Sequence, residues 1–108
     1  MGNVCVVNDE NFAAEVTKAT GLVVVDFSAE WCNPCRLMAP MLEEFAQEVA
    51  GRAKVCTLDV DKAQKTAVHC RVLSLPTLLF FKDGQEVARV TGLIPKEALV
   101  TKLASLGG

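Results

Sequence analysis

The run Leu22-Val23-Val24-Val25-Asp26-Phe27 constrains this chain more than any other stretch. It is apolar and β-branched without alternation, broken by a single acid. A strand with one wet face alternates apolar with polar, whereas a continuous apolar strand is buried on both faces. Such a strand needs a covering layer on each side, and helices supply them. A helical period follows at once. Met38, Met41, Leu42, Phe45 and Val49 fall on one face at i, i+3, i+4 spacing, opposite Glu43, Glu44, Gln47 and Glu48. Gly51 is expected to stop this helix. Pro40 inside it removes one helical hydrogen bond and should kink it.

The remaining segments extend the pattern. Val4 to Val7 reads as an edge strand. Asn8 then caps a helix with Asp9 and Glu10 in its first turn, an apolar stripe of Phe12, Val16 and Ala19, and Gly21 at its end. Lys54 to Val60 is a second central strand, and Asp61 to Val68 forms a short helix. Thr77 to Phe81 and Glu86 to Thr91 are strands joined at Asp83-Gly84, a strong hairpin signal. Pro95 opens a last helix with Leu99, Val100, Leu103 and Leu106 on its apolar face. The order β-α-β-α-β-α-β-β-α predicts an α/β fold, a mixed sheet between helices. The 108 residues suffice for one domain, 1–108, and 51% apolar content can fill its core.

Charge and hydropathy exclude several function classes. A net charge of −2 gives no basic field for nucleic acid and no polybasic membrane patch. No apolar run approaches the roughly 18 residues of a membrane span. MGNVCVVNDE lacks the regions of a secretory signal. Met1-Gly2 begins an acylation pattern, but Val6 stands where that pattern wants Ser or Thr. The five cysteines, Cys5, Cys32, Cys35, Cys56 and Cys70, are an odd number, which fits a reducing compartment better than a secreted disulfide framework. The cytoplasm is the expected location, or an organelle reached by a targeting segment already removed.

Two of these cysteines stand three apart in Trp31-Cys32-Asn33-Pro34-Cys35, where the apolar strand hands over to the long helix. Residues three apart on a helix have Cβ atoms about 5–6 Å apart. A disulfide wants about 3.5–4.5 Å. A small adjustment at the first turn can therefore close the bond. Pro34 suits that turn, since its missing N–H would be unpaired anyway, and Asn33 before it is pushed toward extended geometry. Free N–H groups at the helix start should lower the pKa of Cys32, expected to be the more exposed thiol. Cys32 would attack a substrate disulfide, and Cys35, one turn deeper, would resolve the mixed disulfide. A zinc site would need two more ligands; there is no second CxxC, and His69 is the only histidine. Two inert core thiols are the remaining reading. Cys5 and Cys56 read as small core residues. Cys70, between His69 and Arg71, could be activated by positive charge.

Asp26 is the acid in the buried run. Burial should raise its pKa, and a carboxyl that switches between neutral and ionised could take the proton of Cys35 directly or through one water. The alternative is an acid that reaches solvent at a strand end.

WCNPCR, the acid in VVVDFSAEW, the later SLPT, and KDG followed by VTG together resemble the thioredoxin family, in order and over essentially the whole chain. The resemblance implies a central mixed five-stranded sheet flanked by four helices. It implies reduction of protein disulfides with electrons from a thioredoxin reductase, and Asp26 as proton acceptor. It also implies a cis bond before Pro76, with Leu75 offering its backbone to an extended substrate segment and Gly92 keeping the adjoining surface low. Trp31, Pro76 and Leu93 would add apolar contact. No cofactor is implied beyond the Cys32–Cys35 disulfide, and a monomer is expected. Two departures stand out. Thr57 replaces a lysine common in the family near Asp26, so Asp26 should be less ionised here. Asn33 replaces the usual glycine and should tune the reduction potential together with Pro34. An isomerase or oxidase on the same fold, and a non-catalytic binding module, are the rival readings.

Overall fold

A computed structural model describes residues 3–108; the acylation reading of Met1-Gly2 lies outside them. Five strands, β1 (Val4–Val7), β2 (Leu22–Ser28), β3 (Ala53–Asp59), β4 (Thr77–Lys82) and β5 (Gln85–Thr91), form one sheet in the order β1-β3-β2-β4-β5. β3 runs parallel to both β1 and β2, while β4 is antiparallel to β2 and β5 to β4. The helical segments among the described residues are a π-helical turn (Ala13–Thr17), α1 (Asn33–Glu48), α2 (Gln64–His69) and α3 (Lys96–Ser105). This is the thioredoxin fold that the motifs imply.

β2 is the centre, and every residue from Leu22 to Phe27 is buried. Its side chains alternate between two cores, as the period of two requires. Leu22 and Val24 join Met38, Leu42 and Phe45 of α1 and Leu99 and Leu103 of α3. Val23, Val25 and Phe27 join Val16, Ala63 and Ala67 on the opposite face. Full burial of each large aliphatic side chain contributes roughly 1.5–3 kcal/mol. The same alternation puts Asp26 on the α1 face, in register with Thr57 of β3 and Leu78 of β4.

Several element bounds differ from the sequence reading. The first helix shrinks to Ala13–Thr17, where Lys18 N–H reaches back five residues to the Ala13 carbonyl at 2.8 Å. Asn8 caps the turn leading into it: its Oδ1 accepts from Glu10 and Asn11 N–H at 3.0 and 2.9 Å, and Asn11 Oδ1 accepts from Asn8 N–H at 2.7 Å. α1 ends at Glu48, with Gly51 in the turn beyond, and Pro40 lies inside it. Pro95 stands at the N-cap of α3 rather than in its first turn. α2 begins only at Gln64, and its cap residue Ala63 offers no side-chain acceptor. Asp9 supplies it from outside, accepting from Thr66 N–H at 2.9 Å and Thr66 Oγ1 at 2.7 Å. Those bonds hold the Asp9 carboxyl below its ordinary range.

The hairpin turn has φ of 51° at Asp83 and 84° at Gly84, the two positive values of a primed two-residue turn. A Cβ on Gly84 would lie 2.0 Å from the Thr17 carbonyl oxygen, so only glycine fits under the π-helical turn.

Candidate active site

The end of β2 and the start of α1 build the site between them. Cys32 is the N-cap of α1, with extended backbone, and Pro34 occupies the first turn. Cys32 Sγ accepts the Cys35 N–H at 3.3 Å. The two cysteines are paired as a disulfide with Cα atoms 5.3 Å apart. The expectation that Cys32 is the more exposed of the two needs correction, because each residue is 5% exposed in the disulfide. They differ in what they face. Cys32 borders a groove of about 500 Å³, whereas Cys35 borders a cavity of about 170 Å³ beside Ser28, Ala29 and Asp59.

Asp26 is 4% exposed. Its Oδ1 is the buried side-chain polar atom without a hydrogen-bond partner among the described residues. Burial raises its pKa from 3.8 to about 7. The hydroxyl of Thr57, which donates to the Asp26 main-chain carbonyl at 3.4 Å, opposes this in part. The reading of an acid that escapes to solvent is thus overturned.

The groove beside Cys32 is lined by Trp31, Asn33, Pro34 and Leu75, which the sequence singled out, and by Val60, Ala67, Val72, Leu73 and Ser74, which it did not. The apolar V-L-S-L run before Pro76 was the available signal. Trp31 is 68% exposed, and its Nε1–H donates to Asp61 Oδ2 at 2.7 Å, which fixes the indole at the groove rim. Leu73 is 94% exposed. The Leu75–Pro76 bond is cis and Pro76 is buried. Gly92 N–H donates to the Pro76 carbonyl at 2.8 Å. Gly92 has φ of 88°, and a Cβ there would meet nothing within 4 Å, so the surface beside Pro76 is low and open. Leu93, next along, is 55% exposed.

The groove wall is braced from β5. Arg71, with φ of 56°, closes α2 in a Schellman arrangement: its N–H donates to the Val68 carbonyl, and Val72 N–H to that of Ala67. Arg89 donates to the carbonyls of Cys70 and Arg71 at 2.8 and 3.1 Å while paired with Glu86. This neighbourhood corrects the reading of Cys70. Burial pushes its thiol up, Glu86 adds to that, and Arg89 offsets it only in part. Cys56 is fully buried as expected, whereas Cys5 is only half-buried on the edge strand. Among the described residues no cluster of three or more His, Cys, Asp or Glu side chains could hold a metal ion.

A disulfide at a helix N-cap, one sulfur on an apolar groove, defines a thiol–disulfide oxidoreductase site. The family model described as Thioredoxin matches residues 3–105. The chain is 46% identical over 100 residues to thioredoxin of Mycobacterium tuberculosis, covering 93% of this chain and 86% of that protein. It is equally identical over 97 residues to thioredoxin of Staphylococcus aureus, with 90% and 91% covered. The chain belongs to the thioredoxin family, whose members reduce protein disulfides.

Proposed function

We propose that this protein acts as a single-domain, monomeric dithiol reductant of the cytoplasm, recharged by a thioredoxin reductase. The observation that carries the reading is Cys32 Sγ accepting the Cys35 amide at the start of α1, on the floor of an apolar groove. In the reduced form that amide and the helix dipole hold Cys32 as thiolate. The thiolate attacks a substrate sulfur, and the second substrate sulfur departs and takes a proton. Cys35 then gives its proton to Asp26 and attacks Cys32 Sγ, which releases the first substrate sulfur. The substrate gains two electrons, and the enzyme disulfide forms again.

Trp31, Leu75, Pro76, Gly92 and Leu93 receive the substrate chain. Leu75 pairs with it through its backbone, in the manner of an added strand. Asn33 and Pro34 tune the potential. Pro34 brings no imidazole to hold the thiolate further, which favours reductant over oxidant. Trp31 is the only tryptophan and there is no tyrosine, so its fluorescence reports the redox state during equilibration in graded dithiothreitol buffers. A reductant should show a midpoint below the glutathione poise of about −220 to −260 mV. A midpoint near about −180 mV, in the range of isomerases, would move the assignment to oxidation.

A further inference from the structure

A second cysteine pair lies away from the active site. Cys5 of β1 is in direct register with Cys56 of β3. Both belong to the same core face, the one opposite α1, so their side chains leave the sheet on the same side. Neighbouring strands lie about 4.7–4.9 Å apart, inside the range of about 4.4–6.8 Å that disulfides span between Cα atoms. β1 is a four-residue edge strand with no outer neighbour among the described residues, so it can yield the small approach that bonding needs. Both thiols are free, and they differ in access: Cys5 is half-buried and Cys56 fully buried.

Two charged groups attend the pair. The Cys5 thiol donates to Glu15 Oε1 at 3.7 Å. Lys54, two residues before Cys56 on β3, pairs with that same carboxylate oxygen and also donates to the Glu15 main-chain carbonyl at 3.0 Å. Glu15 thus orients the Cys5 thiol, and the Lys54 ammonium on the same carboxylate oxygen places positive charge beside the pair.

We propose that Cys5 and Cys56 are a second dithiol, closed to a disulfide by hydroperoxides, with Cys5 reacting first and Cys56 resolving. Cys5 Sγ attacks one peroxide oxygen, the O–O bond breaks, and the leaving oxygen takes up the Cys5 proton, which gives a sulfenic acid and water, or an alcohol from an organic hydroperoxide. Cys56 then attacks Cys5 Sγ. The S–S bond forms, the S–O bond breaks, and the departing hydroxide takes the Cys56 proton as water. The two thiols lose two electrons, and the hydroperoxide gains them: hydrogen peroxide becomes two waters, an organic hydroperoxide one water and one alcohol. The product staples the edge strand to the sheet interior and does not use Cys32 or Cys35.

The test uses the full chain, reduced, freed of reductant and exposed to hydrogen peroxide. Remaining thiols are then alkylated, and the protein is digested without reduction for mass mapping. The expected result is a peptide joining Cys5 to Cys56 beside the Cys32–Cys35 one, with Cys70 still alkylated. In Cys56→Ser, Cys5 should instead be trapped as sulfenic acid by dimedone. Cys5 and Cys56 both alkylated after the active-site pair has fully oxidised would overturn the proposal. So would Cys5 carried to sulfinic acid in the wild type, or joined to a cysteine of a second copy.

Discussion

Replacing Asp26 with Asn should make the protein more stable, and only above mildly acidic pH. The unfolded carboxyl ionises near its ordinary 3.8, and the folded one near about 7. Below 3.8 it is protonated in both states and costs nothing. Between the two values the unfolded chain sheds the proton while the folded chain keeps it, so stability falls as pH rises. Above about 7 the loss is complete. At about 1.36 kcal/mol per pH unit, the gap amounts to about 4 kcal/mol. Two or three fully buried neighbours in β2 offset that cost, at roughly 1.5–3 kcal/mol each, which is how the strand accommodates the acid. Asn keeps the size and stays neutral. Urea denaturation of the oxidised protein should therefore show the two proteins nearly equal at about pH 3.5. Near pH 8.5 the variant midpoint should lie higher by roughly 1.5–4 M, taking a slope of about 1–3 kcal/mol per molar. An unchanged gap at both pH values, or a wild type that is the more stable at pH 8.5, would show that Asp26 is not a buried acid left without a cation among the described residues.

Gly84→Ala should cost roughly 2–5 kcal/mol, the left-handed backbone adding to the clash with Thr17. Gly92→Ala, open on that side, should cost only about 1–2 kcal/mol but raise KM for a protein disulfide; equal losses of stability in thermal melts would contradict the contrast. Leu73→Asp should leave Tm unchanged while raising KM for protein substrates several-fold, since Leu73 is exposed at the groove, and an unchanged KM would remove it from the binding surface. Asp9→Ala should lower Tm at neutral pH by uncapping α2. Because the folded Asp9 carboxyl lies below 3.8, its contribution is present above that value and fades as pH falls below it. A Tm difference that persists in strong acid would point to packing instead.

Local patterns carried most of this fold into view. The unbroken apolar run of β2, the stripe of α1 and the Asp83-Gly84 turn each encode their element within a few residues, and the CxxC carries its chemistry in its spacing. What stayed hidden is non-local. The cap of α2 comes from Asp9, 57 residues before Thr66, so Ala63 gave no sign of where that helix starts. The first helix looked longer because Phe12, Val16 and Ala19 fit a helical stripe, yet Lys18 bonds five residues back and leaves only a π-helical turn. Cys70 looked activated by its chain neighbours His69 and Arg71, but burial first, and then Glu86 and Arg89 of β5, set its environment. The register of Cys5 on Cys56 is likewise a product of the crossovers through β2 and α1. Asp26 was legible because a lone acid in an apolar strand is informative wherever the strand packs.

The most direct test of the central claim, that Cys32 attacks and Cys35 resolves, is to trap the intermediate. Reduced Cys35→Ser and Cys32→Ser variants are each mixed with a disulfide-bonded protein such as insulin. A persistent mixed disulfide through Cys32 is expected in the first variant, and little adduct in the second at neutral pH. An adduct that forms faster on Cys35 than on Cys32, or none on either, would contradict it.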